Sequence, residues 1–189
     1  MAALERGGIA AVRTREPGGS QAAEAIRRLL LDGDAERWDP LGETFLFCAA
    51  RRNHVATVIE PALAAGKWVV CDRFADSTIA YQGYGKGIAL DTLATLQRLT
   101  LSGFAPDLTL ILDLPAGEGL ARLIGRAGAA DRFERLDQAF HERLREGFRL
   151  IAAAEPERCV AIDASADPAA VHRAVLAAVR ARLGVALPI

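Results

Sequence analysis

Apolar residues in this chain gather into four short runs separated by long stretches with helical spacing. The runs cover 9–14, 67–72, 108–113 and 159–163 and are rich in Val, Ile and Leu. Continuous apolar runs of that length predict parallel strands covered on both faces. Between them the spacing predicts helices over 20–31, 43–65, 90–102, 116–126, 134–154 and 168–183. Asp167-Pro168 is a helix-opening pair and Gly66 a helix-closing residue, matching the preference for Pro at the first helical position and Gly just past the last. Strands alternating with helices imply an α/β fold, a doubly wound parallel sheet with surrounding helices. With no repeat, low-complexity tract or linker, residues 1–189 read as one domain.

Composition narrows the partners. The 23 basic and 24 acidic residues leave a formal charge of -1, so there is no broad positive surface for a nucleic-acid polymer. A small anionic ligand suits the scattered arginines better. Cys48, Cys71 and Cys159 lie far apart in apolar runs without metal-ligand spacing, which predicts free thiols in a reducing compartment. His54, His141 and His172 fall on predicted helices without ligand or triad companions and read as ordinary surface or partly buried residues. No apolar run approaches the ~20 residues of a membrane span, and the start Met1-Ala2-Ala3-Leu4-Glu5-Arg6 does not have the form of a signal peptide. A cytoplasmic protein without membrane contact is expected.

Two of the strands break directly into ionic turns. One runs to Thr14 and turns at Arg15-Glu16-Pro17-Gly18-Gly19. The other runs to Cys71 and turns at Asp72-Arg73-Phe74, followed by Ser77-Thr78 and Tyr81-Gln82-Gly83. Open parallel sheets bind ligands outside the carboxyl ends of their strands, so both turns point to one crevice. Taken singly, each turn also fits strand-end solvation or a surface ion pair.

Two further segments carry candidate chemistry. Phe47 and Arg51 are four apart and share a helix face, the arrangement for stacking on a planar base and bonding its edge. The bland alternative is a core phenylalanine with an exposed arginine. The stretch from Gly125 to Glu134 is rich in small residues and carries Arg126 and Arg132. It suits a short lid bringing guanidinium groups over a phosphate, or a plain surface loop.

In order along nearly the whole chain, Thr14-Arg15-Glu16-Pro17-Gly18-Gly19, Phe47-Cys48-Ala49-Ala50-Arg51, Asp72-Arg73-Phe74 with Ser77-Thr78 and Tyr81-Gln82-Gly83, Pro106-Asp107-Leu108-Thr109 and Ile162-Asp163-Ala164 together resemble bacterial thymidylate (dTMP) kinases. The resemblance implies a fold like that of the P-loop nucleoside monophosphate kinases and transfer of phosphate from ATP to dTMP with Mg2+, giving dTDP for dTTP synthesis. It implies that Phe47 stacks on thymine and Arg51 bonds its carbonyl oxygen. Thr78 and Gln82 then meet the base edge or sugar, and Tyr81 packs near the sugar carbon that lacks a hydroxyl. Arg73 holds the acceptor phosphate, with Asp72 orienting it or helping order the metal. Arg15 and Glu16 shape the acceptor-phosphate end, and Arg126 and Arg132 act from the lid. The resemblance also implies a homodimer; the apolar residues on several faces of 43–65 and 90–102 suit a partner subunit or a domain interior equally.

One family element has no counterpart here. Family members begin with an apolar strand and a Gly-x-x-x-x-Gly-Lys-Ser/Thr loop that cradles the donor phosphates. The two Gly-Lys pairs of this chain, Gly66-Lys67 and Gly85-Lys86, do not form it, and Leu4 to Gly8 resemble the end of the helix that follows the loop. An inner strand, the loop and most of a first helix are thus expected to be missing from these residues, leaving strand edges unpaired. Either the protein starts upstream, or the chain is a remnant that fills the slot otherwise. The alternatives to an impaired kinase are a non-catalytic nucleotide-binding protein and a deoxynucleoside kinase.

Overall fold

The computed structural model describes residues 1–34, 36–124 and 132–188. After a short helix α1 (Ala2–Arg6), strand β1 (Ala11–Arg15) leads to helices α2 (Gln21–Leu31) and α3 (Pro40–His54). A π-helical turn (Val55–Ile59) and α4 (Glu60–Ala64) precede β2 (Trp68–Asp72), and α5 (Ala75–Thr78) runs into a second π-helical segment, Ile79–Gly85. Then come α6 (Leu90–Leu101), β3 (Thr109–Asp113), α7 (Ala116–Ile124), α8 (Gln138–Ala154), β4 (Cys159–Asp163) and α9 (Pro168–Leu183).

Aspartates and a serine start α2, α3, α8 and α9. Ser20 accepts the Ala23 N–H, Asp39 those of Leu41 and Gly42, Asp137 that of Phe140, and Asp167 those of Ala169 and Ala170, so side-chain oxygens satisfy donors that have no partner inside the helix. The Asp39-Pro40 pair sets the start of α3 three residues before the start that periodicity predicts. None of the described helices is long and apolar enough to cross a membrane.

The four expected strands are all present and all paired in parallel, but as two separate two-stranded sheets. β1 pairs with β2 so that Arg15 lies opposite Asp72, and β3 with β4 so that Asp113 lies opposite Asp163. The expectation of strands covered on both faces is corrected in part. Val70 in β2 and Leu112 in β3 are 40% and 56% exposed, because a sheet of two strands leaves edges and faces that no neighbouring strand or helix covers. Each sheet has its own core. Val55, Ile59, Ala75 and Leu101 pack together with Val69 of β2 against them, while Ala80, Phe140, Leu144 and Ile151 pack with Ile111 and Cys159 of β3 and β4. A fork of hydrogen bonds ties the segment after β2 to the second sheet: Arg158 donates through Nη1 and Nη2 to the two oxygens of Asp76, each at 2.8 Å, and Asp76 also accepts from Thr109.

Candidate active site

The two ionic turns meet at the carboxyl end of the first sheet, where the Glu16 N–H donates to the Asp72 carbonyl at 2.9 Å. One cavity there is lined by Glu16, Phe47, Arg51, Arg73, Thr78, Tyr81 and Gln82, with Ser77, Phe133 and His141 also on its wall. Seven of the eight expected substrate contacts therefore surround a common hollow. Arg15 is the exception. It turns away onto Glu24 at 3.1 Å, half-exposed, and the Gly19 N–H together with Arg15 holds the Glu24 carboxyl below its ordinary range.

Of the two residues that share this helix face, Arg51 is buried and Phe47 is partly buried. The arginine is therefore not the solvated one of the bland reading. The guanidinium is held from three directions: Nε donates to Glu16 Oε2 at 2.7 Å, and Nη2 donates to Thr78 Oγ1 at 2.9 Å and to the Phe74 carbonyl at 3.4 Å. Its Nη1 is closed to solvent and has no hydrogen-bond partner among the described residues.

Glu16, on the cavity wall, is 5% exposed and spans two partners. While Oε2 takes Arg51, Oε1 takes His54 Nδ1 at 3.1 Å, and His54 Nε2 bonds the Thr14 hydroxyl at 2.6 Å. His54 is fully buried, the opposite of an ordinary surface histidine. The chain Thr14–His54–Glu16–Arg51–Thr78 thus fixes the arginine from β1, α3 and α5. Gly19 passes over it with φ +82°, and a Cβ there would fall on the His54 ring and the Thr14 hydroxyl, so glycine is required both for the turn and for the close approach.

Arg73 holds φ 65°, a left-handed backbone for a non-glycine residue, and such strain is most often retained where it aims a side chain. Its guanidinium lies over the Tyr81 ring at 5.1 Å. Tyr81 also meets Phe133, Phe140 and Phe148 edge-on, and Phe47 meets Phe133 at 6.0 Å. Phe133, from the expected lid, thereby joins the aromatic wall. Both Tyr81 and Gln82 sit on the π-helical segment Ile79–Gly85, a wider coil common at functional sites. The Cys71 thiol donates to the Arg73 carbonyl at 3.0 Å, and burial, with Glu16 and Asp72 nearby, pushes its pKa far up.

A second buried carboxylate organises the far wall. Glu43 accepts from Gln82 Nε2 at 2.8 Å and from Lys86 Nζ at 2.7 and 2.9 Å, and it pairs with Arg132. Arg132 is 1% exposed and also donates to the Leu30 carbonyl. The expectation of Arg132 as a catalytic lid arginine is corrected: Glu43 draws it inside, where it ties residue 132 to α2 and α3. Arg126 and the rest of 125–131 lie outside the described residues. Asp72 is exposed at the end of β2 beside the cavity. Neither the Glu43 cluster nor the Glu16–His54 pairing is marked by spacing in the sequence, because each partner comes from a separate element.

A family profile described as thymidylate kinase matches residues 1–175. The chain belongs to the thymidylate kinase family. It is 54% identical over 181 residues to the thymidylate kinase of Caulobacter vibrioides, covering 96% of this chain and 86% of that one. It is 52% identical over 169 residues to that of Rhizorhabdus wittichii, covering 88% and 81%. The crystal structure of thymidylate kinase from Ehrlichia chaffeensis superposes with a TM-score of 0.72 at 35% identity, covering 89% of this chain and 81% of that one. By family the chain is a phosphotransferase with an α/β fold of the P-loop nucleoside monophosphate kinase type.

Proposed function

We propose that the cavity binds dTMP and that this chain serves the ATP-dependent conversion of dTMP to dTDP. The observation that carries the reading is the Arg51 guanidinium: three contacts lock it, and the cavity-lining residue keeps one N–H without a partner. A buried donor left unpaired costs about 1–3 kcal/mol, and a carbonyl oxygen of thymine would satisfy it. Phe47 would then stack on the ring, and Thr78 and Gln82 would face its edge or the sugar. Tyr81 would pack on the sugar and Arg73 would take the phosphate.

Phosphoryl transfer depends mainly on positioning and charge neutralisation. Here Arg73 would hold the acceptor phosphate in place and the aromatic wall would keep water from it. The exposed Asp72 carboxylate fits magnesium, which is held by one or two carboxylates with phosphates and waters, and the metal would neutralise charge on the transferring group. Arg126 remains our candidate for charge neutralisation from the lid. The donor side fits less well: these 189 residues contain no Gly-x-x-x-x-Gly-Lys-Ser/Thr run, so no step is assigned to residues holding ATP. A second reading is dTMP binding without turnover. We read the chain as a cytoplasmic homodimer, with Phe45 of α3 and Leu99 of α6, 51% and 75% exposed, at the partner face.

Calorimetric titration with dTMP, ATP and thymidine, alongside a coupled kinase assay, tests the proposal. Binding of dTMP well ahead of thymidine supports the acceptor site, and absence of dTMP binding overturns it. Low turnover by the 189 residues, raised when a strand and phosphate loop are fused ahead of Met1, supports the kinase reading. Turnover that stays at background in the fused protein supports binding alone.

A further inference from the structure

Among the described residues only two buried side-chain polar atoms have no hydrogen-bond partner, Arg51 Nη1 and His141 Nε2, and both residues line the same cavity. Native proteins leave few buried polar atoms unpaired, so two on one cavity wall mark a ligand that brings two separate polar groups. Arg51 is accounted for by the base. His141 stands on another element, α8, and its ring meets Phe140 edge-on at 5.7 Å. Phe140 in turn meets Tyr81 at 6.1 Å, and the Arg73 guanidinium lies over that same tyrosine. His141 is therefore joined through two rings to the part of the cavity where sugar and phosphate would lie.

We infer that His141 is a substrate-binding residue whose Nε2 hydrogen-bonds the sugar–phosphate half of a nucleoside monophosphate. The inference rests on the reading of the cavity as a dTMP site. An imidazole nitrogen bonds a sugar hydroxyl as donor or acceptor, in either tautomer, and a phosphate oxygen as donor. Such a contact ties α8, which carries the second core, to ligand held by α3 and α5. Binding would then draw the two sheets together through the nucleotide.

The test is calorimetry of dTMP, thymidine and 3′-deoxythymidine monophosphate on the full chain and on His141→Phe and His141→Gln, with a thermal melt of each protein. Phe keeps the ring against Phe140 and deletes the nitrogen, while Gln restores a polar group at similar reach. The expected result is dTMP binding weakened roughly three- to tenfold in His141→Phe, recovered in part by His141→Gln. One truncated ligand, thymidine or the 3′-deoxy nucleotide, should show no such loss, and which one it is locates the contact. Equal losses for all three ligands overturn the inference, as does a loss that follows a lowered melting temperature and is not recovered by Gln. Wild-type protein that binds dTMP while His141→Phe binds it equally also overturns it, leaving a water as the nitrogen's partner. Wild-type protein that binds no dTMP overturns the parent reading and this one together.

Discussion

Glu16 and Arg51 form an ion pair shut away from solvent, Oε2 to Nε at 2.7 Å with side chains 4% and 2% exposed. Charges so placed are stable only while each has its partner, since the cost of removing an ion from water is offset here by the pairing and by the added bonds to His54 and Thr78. Glu16→Gln should cost about 3–5 kcal/mol of stability by leaving the arginine uncompensated. Urea denaturation followed by circular dichroism measures this. A cost below 1 kcal/mol would mean that water reaches the pair.

The proposed division of labour between Arg51 and Arg73 predicts different ligand signatures. Arg51→Lys keeps the charge but not the planar fork that Glu16 and Thr78 grip. It should weaken dTMP and thymidine alike, on the order of tenfold for one lost charge-assisted bond. Arg73→Ala should weaken dTMP by roughly 10- to 100-fold and leave thymidine nearly untouched, because only the phosphate needs that charge. Equal effects of Arg73→Ala on both ligands would remove Arg73 from the phosphate site.

Much of this was legible in the chain because the signals are local. All four strands, the C-terminal ends of α2, α8 and α9, and the convergence of the Thr14–Gly19 and Asp72–Gly83 segments follow from apolar runs, caps and turns. What escaped is long-range. Glu43 gathers Gln82, Lys86 and Arg132 from positions 39, 43 and 89 residues away, and no periodicity encodes such a meeting. His54 looked ordinary for the same reason, its partners Thr14 and Glu16 lying 40 and 38 residues upstream. Unpaired strand edges were expected from the missing inner strand, but which strands pair, β1 with β2 and β3 with β4, is not written in spacing. The π-helical segment Ile79–Gly85 was missed because its Tyr-Gln-Gly-Tyr-Gly sequence reads as a turn.

Acid sensitivity should concentrate at the second sheet. Arg145 donates to both oxygens of Asp113, at 2.6 and 2.9 Å, and this fork holds the Asp113 carboxyl below its ordinary range despite some burial. A carboxyl depressed in the folded state binds fewer protons there than when unfolded, so its stabilisation is present above the unfolded value of about 4 and is lost as pH falls through the lower folded value. Asp113→Asn should therefore lower the stability measured by urea denaturation at pH 7 by about 1 kcal/mol for a partly exposed fork, and differ little from wild type at pH 2–3. A gap between the two proteins that persists unchanged into acid would contradict this assignment.

Helices α3 and α6 pack against each other, yet Phe45 on one and Leu99 on the other are 51% and 75% exposed, with Leu41 and Leu90 also open at 40% and 45%. Single exposed apolar residues are ordinary, but several on two adjoining helices mark an interaction surface, and a second copy of the same face is the simplest partner that burial in a two-fold dimer allows. Leu99→Glu places a charge at the most exposed of these positions. The monomer should tolerate it, since the side chain already faces water, whereas a dimer would have to bury the charge or separate. Sedimentation velocity at micromolar concentration should then show wild type as a dimer and Leu99→Glu as a monomer with unchanged helical content. A wild-type monomer, or a variant that remains dimeric, would place the partner face elsewhere.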